Sequence, residues 1–123
     1  MLFRSDRAKI SAPGQLPSHY APKTPLRVVD DLKSFAPLVN QRCALLAWNV
    51  IANDERFVAI RNLSEQQNLR EAAANLFRYL RELDALLDVD LIVAEQVPDQ
   101  GLGAAIMDRL RRAAEPPSLH FDS

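Results

Sequence analysis

The chain has 123 residues, of which 48% are apolar and 25% charged, enough for one soluble domain of modest size. A formal net charge of −1 argues against a strong field toward nucleic acid or an anionic membrane, and a single cysteine, Cys43, excludes an internal disulfide. No stretch approaches the roughly 20 apolar residues of a membrane helix, and Arg4, Asp6 and Arg7 interrupt any secretory signal, so the expected setting is cytoplasmic, with no membrane and no direct nucleic-acid partner.

Residues 1–25 have few apolar residues and no helical period. Pro13, Pro17, Pro22 and Pro25 fix φ at four places and remove four donors. The stretch reads as an extended proline-rich arm, suited to a linker or to a strap across a partner surface. A domain over residues 26–115 follows. Leu26-Arg27-Val28-Val29 reads as its first strand. Asp30 or Asp31 can cap a helix running to about Gln41, with Pro37 delaying or bending it. Cys43 to Trp48 is a second, buried strand, and Asn53-Asp54 suits the turn that follows. Phe57-Val58-Ala59-Ile60 is a third strand.

Leu69, Ala72, Ala73, Leu76, Leu80, Leu83 and Leu87 then recur at steps of three and four, one face of a helix. Asn68 and Glu71 are spaced as a capping box at its start. Leu91-Ile92-Val93-Ala94 lacks polar alternation, the pattern of a strand buried on both faces. Gly101-Leu102-Gly103 opens a last helix with Leu102, Ile106, Leu110 and Ala113 on one face, and Pro116-Pro117 stops it. Residues 116–123, with His120, read as a disordered tail. A helix between two buried strands is a βαβ unit, so the fold class is α/β, a sandwich with a mainly parallel sheet of about four strands.

Few residues carry chemistry. The turn at Gly101 and Gly103 lies where open α/β folds bind phosphate on backbone N–H groups. The third glycine of the dinucleotide fingerprint is replaced by Ile106, and a tight turn bringing the helix close to the sheet is the favoured reading of the pair. Asp108, Arg109, Arg111 and Arg112 form a charged cluster, read as a solvated face or as a docking surface for an acidic partner. Cys43 reads as a core residue, and Trp48 as core or pocket rim. Asp84, Asp88 and Asp90 surround a helix end and read as solvation. Two histidines and one cysteine supply no metal set, and no phosphate loop or serine elbow is present. No catalytic residue is assigned. His19-Tyr20-Ala21-Pro22 is unusual in an arm with no fold of its own to stabilise.

Together these motifs resemble a known family. Pro13-Gly14, His19-Tyr20-Ala21-Pro22 and Pro25-Leu26 are similar to the interdomain linker of two-domain threonylcarbamoyl-AMP synthases. Asn68 to Phe77 with Leu80 to Asp84, then Glu95, Val97-Pro98, Gly101 to Ile106 and Asp108 to Ala114, resemble their C-terminal domain. The resemblance implies a Rossmann-like three-layer sandwich. It also implies an accessory role in making threonylcarbamoyl-AMP from threonine, bicarbonate and ATP, for the threonylcarbamoyladenosine modification of tRNA. In that family a YrdC-like domain carries catalysis. It is expected as the partner here, in cis or trans, because nothing before Ala12 has the length to be one. ATP with Mg would belong to that domain, with no cofactor and no metal in this chain.

By the same resemblance the linker, with Pro13, Gly14, His19, Tyr20 and Pro22, closes over the nucleotide pocket. Gly101, Gly103, Asp108 and Arg109 mark a ligand or docking site. The chain departs from the family pattern at Gln15, where methionine is usual, and at Met107, where an asparagine amide could hold a turn or a ligand. An independent nucleotide-binding or protein-interaction module is the alternative reading.

Overall fold

Four parallel strands form one sheet in the order β1-β4-β2-β3: β1 is Leu26–Val29, β2 Cys43–Ala47, β3 Phe57–Asn62 and β4 Leu91–Glu95. Among the described residues two α-helices accompany it, α1 over Leu69–Asp84 and α2 over Leu102–Ala114. The structure, a computed structural model, describes residues 22–49 and 53–114. The arm before Pro22 and the tail expected over residues 116–123 lie outside the described residues.

The central strands β2 and β4 are buried along their whole length, and alternate side chains go to opposite faces. Ala44, Leu46, Ile92 and Ala94 meet Leu76, Leu80, Leu83, Ile106, Met107 and Leu110 of the helices. Cys43, Leu45, Ala47, Leu91 and Val93 face the other way, where Leu32 and Phe35 cover them. The connections explain this division. From β1 to β2 the chain crosses β4 in one direction, and from β3 to β4 it crosses β2 in the other. Right-handed crossovers in opposite directions leave a sheet on opposite faces. Hence α1 lies on one face and the β1–β2 connection on the other.

That second connection departs from the sequence expectation. In place of a helix running to Gln41 there is one 3₁₀ turn, Leu32–Ser34. Asp31 caps it, accepting the Lys33 N–H at 3.2 Å and the Ser34 hydroxyl at 2.6 Å. Phe35 is already extended (φ −75°, ψ 135°), because Pro37 disfavours helical geometry at Ala36 and offers no N–H. Asn40 then turns with φ +64°. Phe35 instead stacks on Phe57, ring centroids 6.0 Å apart. Arg56 locks the arrangement: its guanidinium donates to the Leu32 and Phe35 carbonyls, each at 2.7 Å, and holds Asp54 through both carboxylate oxygens.

The helix faces follow the spacing of their leucines with two corrections. Leu87 is fully exposed, because α1 ends at Asp84 and the chain turns before the next helical position. Leu102 is also exposed, standing at the first residue of α2 where the helix has not yet reached the sheet. Asn68 caps α1, accepting the Glu71 N–H at 2.9 Å. The return half of the capping box runs through Ser64, whose hydroxyl accepts the Asn68 N–H and donates to Glu71.

Candidate functional site

In open α/β sheets, ligands collect at the carboxyl ends of strands whose connections leave on opposite faces. Here those ends carry a polar lattice. Glu95 terminates β4 and is buried. Its carboxylate accepts the backbone N–H groups of Trp48 at 2.8 Å and Asn49 at 2.9 Å, and the Asn49 side-chain amide at 2.6 Å. Asn49 continues the lattice. Its carbonyl accepts from Asn62 at the end of β3 and its side-chain oxygen from Gln67, a residue held at φ +57°. A shallow cavity of about 230 Å³ opens alongside, lined by Asn62, Ser64, Glu65, Glu71, Asn75 and Tyr79. The lattice therefore binds the strand ends to one another and to the start of α1, and spends its donors and acceptors internally.

The Gly101–Gly103 turn lies beyond β4 on the same edge. Gly101 has φ +57°, where a side chain is strained. Gly103 is buried, and a Cβ there would fall on the Pro98 carbonyl oxygen. The Gly103 N–H donates to the Gln100 carbonyl at 2.9 Å and the Ala104 N–H to that of Gly101 at 3.1 Å. Both glycines thus have a backbone reason, the one supplying the turn and the other letting α2 start against Pro98. Met107, one turn into α2, is buried, and its Sδ accepts the buried Val97 N–H at 3.4 Å. The thioether does here the turn-holding work an amide oxygen could do. Asp108 pairs with Arg112 at 3.2 Å and Arg111 with Asp99 at 3.0 Å, both exposed. Arg109 is half-buried beside them.

The aspartates around the end of α1 do more than face solvent. Asp84 accepts the Lys23 N–H at 3.1 Å and the Thr24 N–H at 2.9 Å, one on each oxygen. Arg42 pairs with Asp88 at 2.7 Å, and its N–H donates to Asp90 at 2.9 Å. Sequence spacing missed these roles because each pairing joins residues 46 to 61 positions apart. Of the arm residues singled out by sequence, Pro22 is half-buried at the edge of the fold; Pro13, Gly14, His19 and Tyr20 lie outside the described residues. Cys43 is fully buried in the core, where desolvation raises its pKa, the opposite of an activated thiol. Among the described residues no cluster of side chains suits a metal ion, and no helix is long and apolar enough to cross a membrane.

Comparison with known proteins gives the arrangement a context. The family model for the threonylcarbamoyl-AMP synthase C-terminal domain matches residues 3–115. The chain is 32% identical over 110 residues to a threonylcarbamoyl-AMP synthase of Bacillus subtilis, covering 84% of this chain and 32% of that protein. It is 32% identical over 120 residues to one of Pyrococcus abyssi, covering 89% of this chain and 33% of that protein. The crystal structure of P. abyssi Sua5 complexed with L-threonine superposes with a TM-score of 0.61 at 28% identity, over 78% of this chain and 29% of that one. The chain thus spans about a third of the length of the relatives it matches. A parallel four-stranded sheet whose helix-start glycine packs on Pro98, matched along nearly all its length by one family model, places this chain in the threonylcarbamoyl-AMP synthase C-terminal domain family.

Proposed function

We propose that the chain serves as the accessory C-terminal domain of a threonylcarbamoyl-AMP synthase, acting in tRNA threonylcarbamoyladenosine biosynthesis with a YrdC-like catalytic domain in cis or trans. The observation that carries this reading is the match over residues 3–115 to a domain forming only a third of its relatives. In this reading the catalytic domain holds ATP with its Mg and threonine, and condenses them with bicarbonate. The present chain contributes no catalytic group. Its arm, with Pro13, Gly14, His19, Tyr20 and Pro22, closes over the nucleotide pocket of that domain. Prolines lower the entropy of the free arm, so less is lost on docking. A neutral imidazole can donate and accept near neutral pH.

The alternative of an independent nucleotide-binding module at Gly101 and Gly103 has weaker support. The Gly103 and Ala104 N–H groups already have backbone partners, and Gly103 is occupied with Pro98. A mixing assay tests the proposal. The chain alone should release no pyrophosphate from ATP with threonine and bicarbonate. Added to a matching YrdC-like domain it should raise threonylcarbamoyl-AMP synthesis, and His19→Ala should reduce that gain without changing the melting temperature of the lone chain. Steady turnover by the chain alone, or no gain on mixing, defeats the reading.

A further inference from the structure

The two faces of the sheet are covered in unequal ways. On one, Leu76, Leu80 and Leu83 of α1 and Ile106, Met107 and Leu110 of α2 are all buried against the strands. On the other, the cover among the described residues is the connection from β1 to β2, and of its residues 31–41 only Leu32 and Phe35 are buried. Leu38, Val39 and Asn40 are exposed in a turn closed on itself. There the Gln41 N–H donates to the Leu38 carbonyl and the Leu38 N–H to the Gln41 side-chain oxygen, each at 3.0 Å. The 3₁₀ turn is likewise closed internally, by Asp31 and by the Ser34 and Phe35 N–H groups. A segment that meets its own hydrogen-bonding needs and buries little apolar surface belongs to the part of a fold that opens well below the global unfolding free energy.

Arg56 is what ties this segment down. Among the described residues, the hydrogen bonds that reach residues 31–41 from the rest of the fold are two from Arg56 and a long one from the Cys43 thiol to Gln41 at 3.7 Å. The guanidinium divides its work. Nε and Nη2 hold the two oxygens of Asp54, while Nη1 alone donates to both the Leu32 and the Phe35 carbonyl. Asp54 therefore aims the fork, and one nitrogen grips the segment at both of its buried residues. Letting go frees the two together. At its far end the segment stops at Arg42, whose N–H is held by Asp90 and whose guanidinium is held by Asp88. We propose that residues 31–41 form a strap latched by Arg56, which lifts off the sheet as a unit while the strands and the helix-covered face stay folded. Lifting bares Cys43, Leu45 and Val93, all wholly buried when the strap is down, and so gives the domain a second conformation with one open apolar face.

Cys43 is the only cysteine of the chain and lies under the strap, so a thiol reagent reads the lifting directly. With dithionitrobenzoate in excess, the full-length chain should label at a rate that barely changes with urea well below the unfolding transition, because lifting exposes far less surface than global unfolding. Arg56→Met should raise that rate about tenfold or more, the effect of losing hydrogen bonds from a charged donor. Arg56→Lys keeps the charge but loses the fork, so its rate should fall between the two, and it replaces Arg56→Met if that variant does not fold. Leu80→Ala, on the opposite face, should lower the urea midpoint yet leave the low-urea labelling rate unchanged, since Leu80 stays packed when the strap is up. Labelling that shares the urea dependence of global unfolding, or that speeds up in Leu80→Ala as much as in the Arg56 variants, overturns the proposal, because strap and helices then unfold together. Unchanged labelling in the Arg56 variants also overturns it, since Cys43 is then reached by fraying of β2.

Discussion

The carboxylate of Glu95, at the end of β4, accepts the backbone N–H of Trp48, just past β2, at 2.8 Å. The two strands are neighbours in the sheet, yet their ladder ends before this point. A side chain has replaced the next rung. The replacement is needed because the pairing of β2 with β4 ends at Leu46 and Ala94. Their backbones diverge, and a carboxylate with two oxygens bridges the gap, satisfying two N–H groups and an amide at once.

Removing that bridge should be costly. Glu95→Leu keeps the volume but strands the Trp48 and Asn49 N–H groups, and unsatisfied buried donors cost about 1–3 kcal/mol each. The expected loss of stability is about 2–4 kcal/mol by urea denaturation, and Glu95→Gln, which keeps one acceptor oxygen, should lose less. If the two variants unfold at the same midpoint as the parent, the lattice is not holding the strand ends.

Met107 offers a finer test. Its Sδ accepts the buried Val97 N–H, a weak bond from a soft acceptor. Met107→Leu conserves volume and apolarity but removes the acceptor, so the expected cost is about 1–2 kcal/mol, larger than an ordinary Met-to-Leu exchange provides for by packing alone. A midpoint shift within about 0.5 kcal/mol of parent, the scale of a neutral surface change, would show that water or relaxation satisfies Val97.

The acid limb of stability should report the Arg56 clamp. Hydrogen bonding from the Arg56 side chain holds the Asp54 carboxyl below its ordinary value. A carboxyl depressed in the folded state adds stability that is fully present above its unfolded pKa, about 3.9, and is lost as pH falls through the lower folded value. Urea midpoints should therefore fall below about pH 4 in the parent, and Asp54→Asn should flatten that part of the profile while lowering stability at neutral pH. Parallel pH profiles for the two proteins would show that Asp54 does not contribute this way.

Much of the architecture was legible because it depends on local periodicity. The leucine spacing of α1 and the apolar runs of β2 and β4 specify burial within a few residues of sequence, and Leu76, Leu80, Leu83, Ile92 and Ile106 do meet in one core. The expected helix after β1 failed because a capping aspartate and a few helix formers outweighed Pro37 on paper, whereas Phe35 gains more by stacking on Phe57. The strand-end lattice and the anchoring of Lys23 by Asp84 were not legible, since each joins residues distant in sequence that only the strand order brings together. At Gly101 and Gly103 the motif was visible, but its two readings differ only in what lies above the turn, which sequence does not contain.

The two glycines can be separated by one substitution each. At Gly103 a Cβ meets the Pro98 carbonyl oxygen, an atom of the backbone that cannot swing aside, so Gly103→Ala must push α2 away from the sheet. The displacement would loosen Ile106, Met107 and Leu110 together, and the expected cost is about 3 kcal/mol or more, at the upper end for overpacking. At Gly101 nothing lies within 4 Å of the added carbon, and only the left-handed backbone at φ +57° opposes it. Gly101→Ala should therefore cost about 1–2 kcal/mol. Thermal melts of the two variants decide between the readings of the turn. A large loss at Gly103 with a small one at Gly101 is what helix packing requires. Near-parent stability in both would mean that the glycines are kept for something other than the fold, and would return the turn to the status of a ligand site.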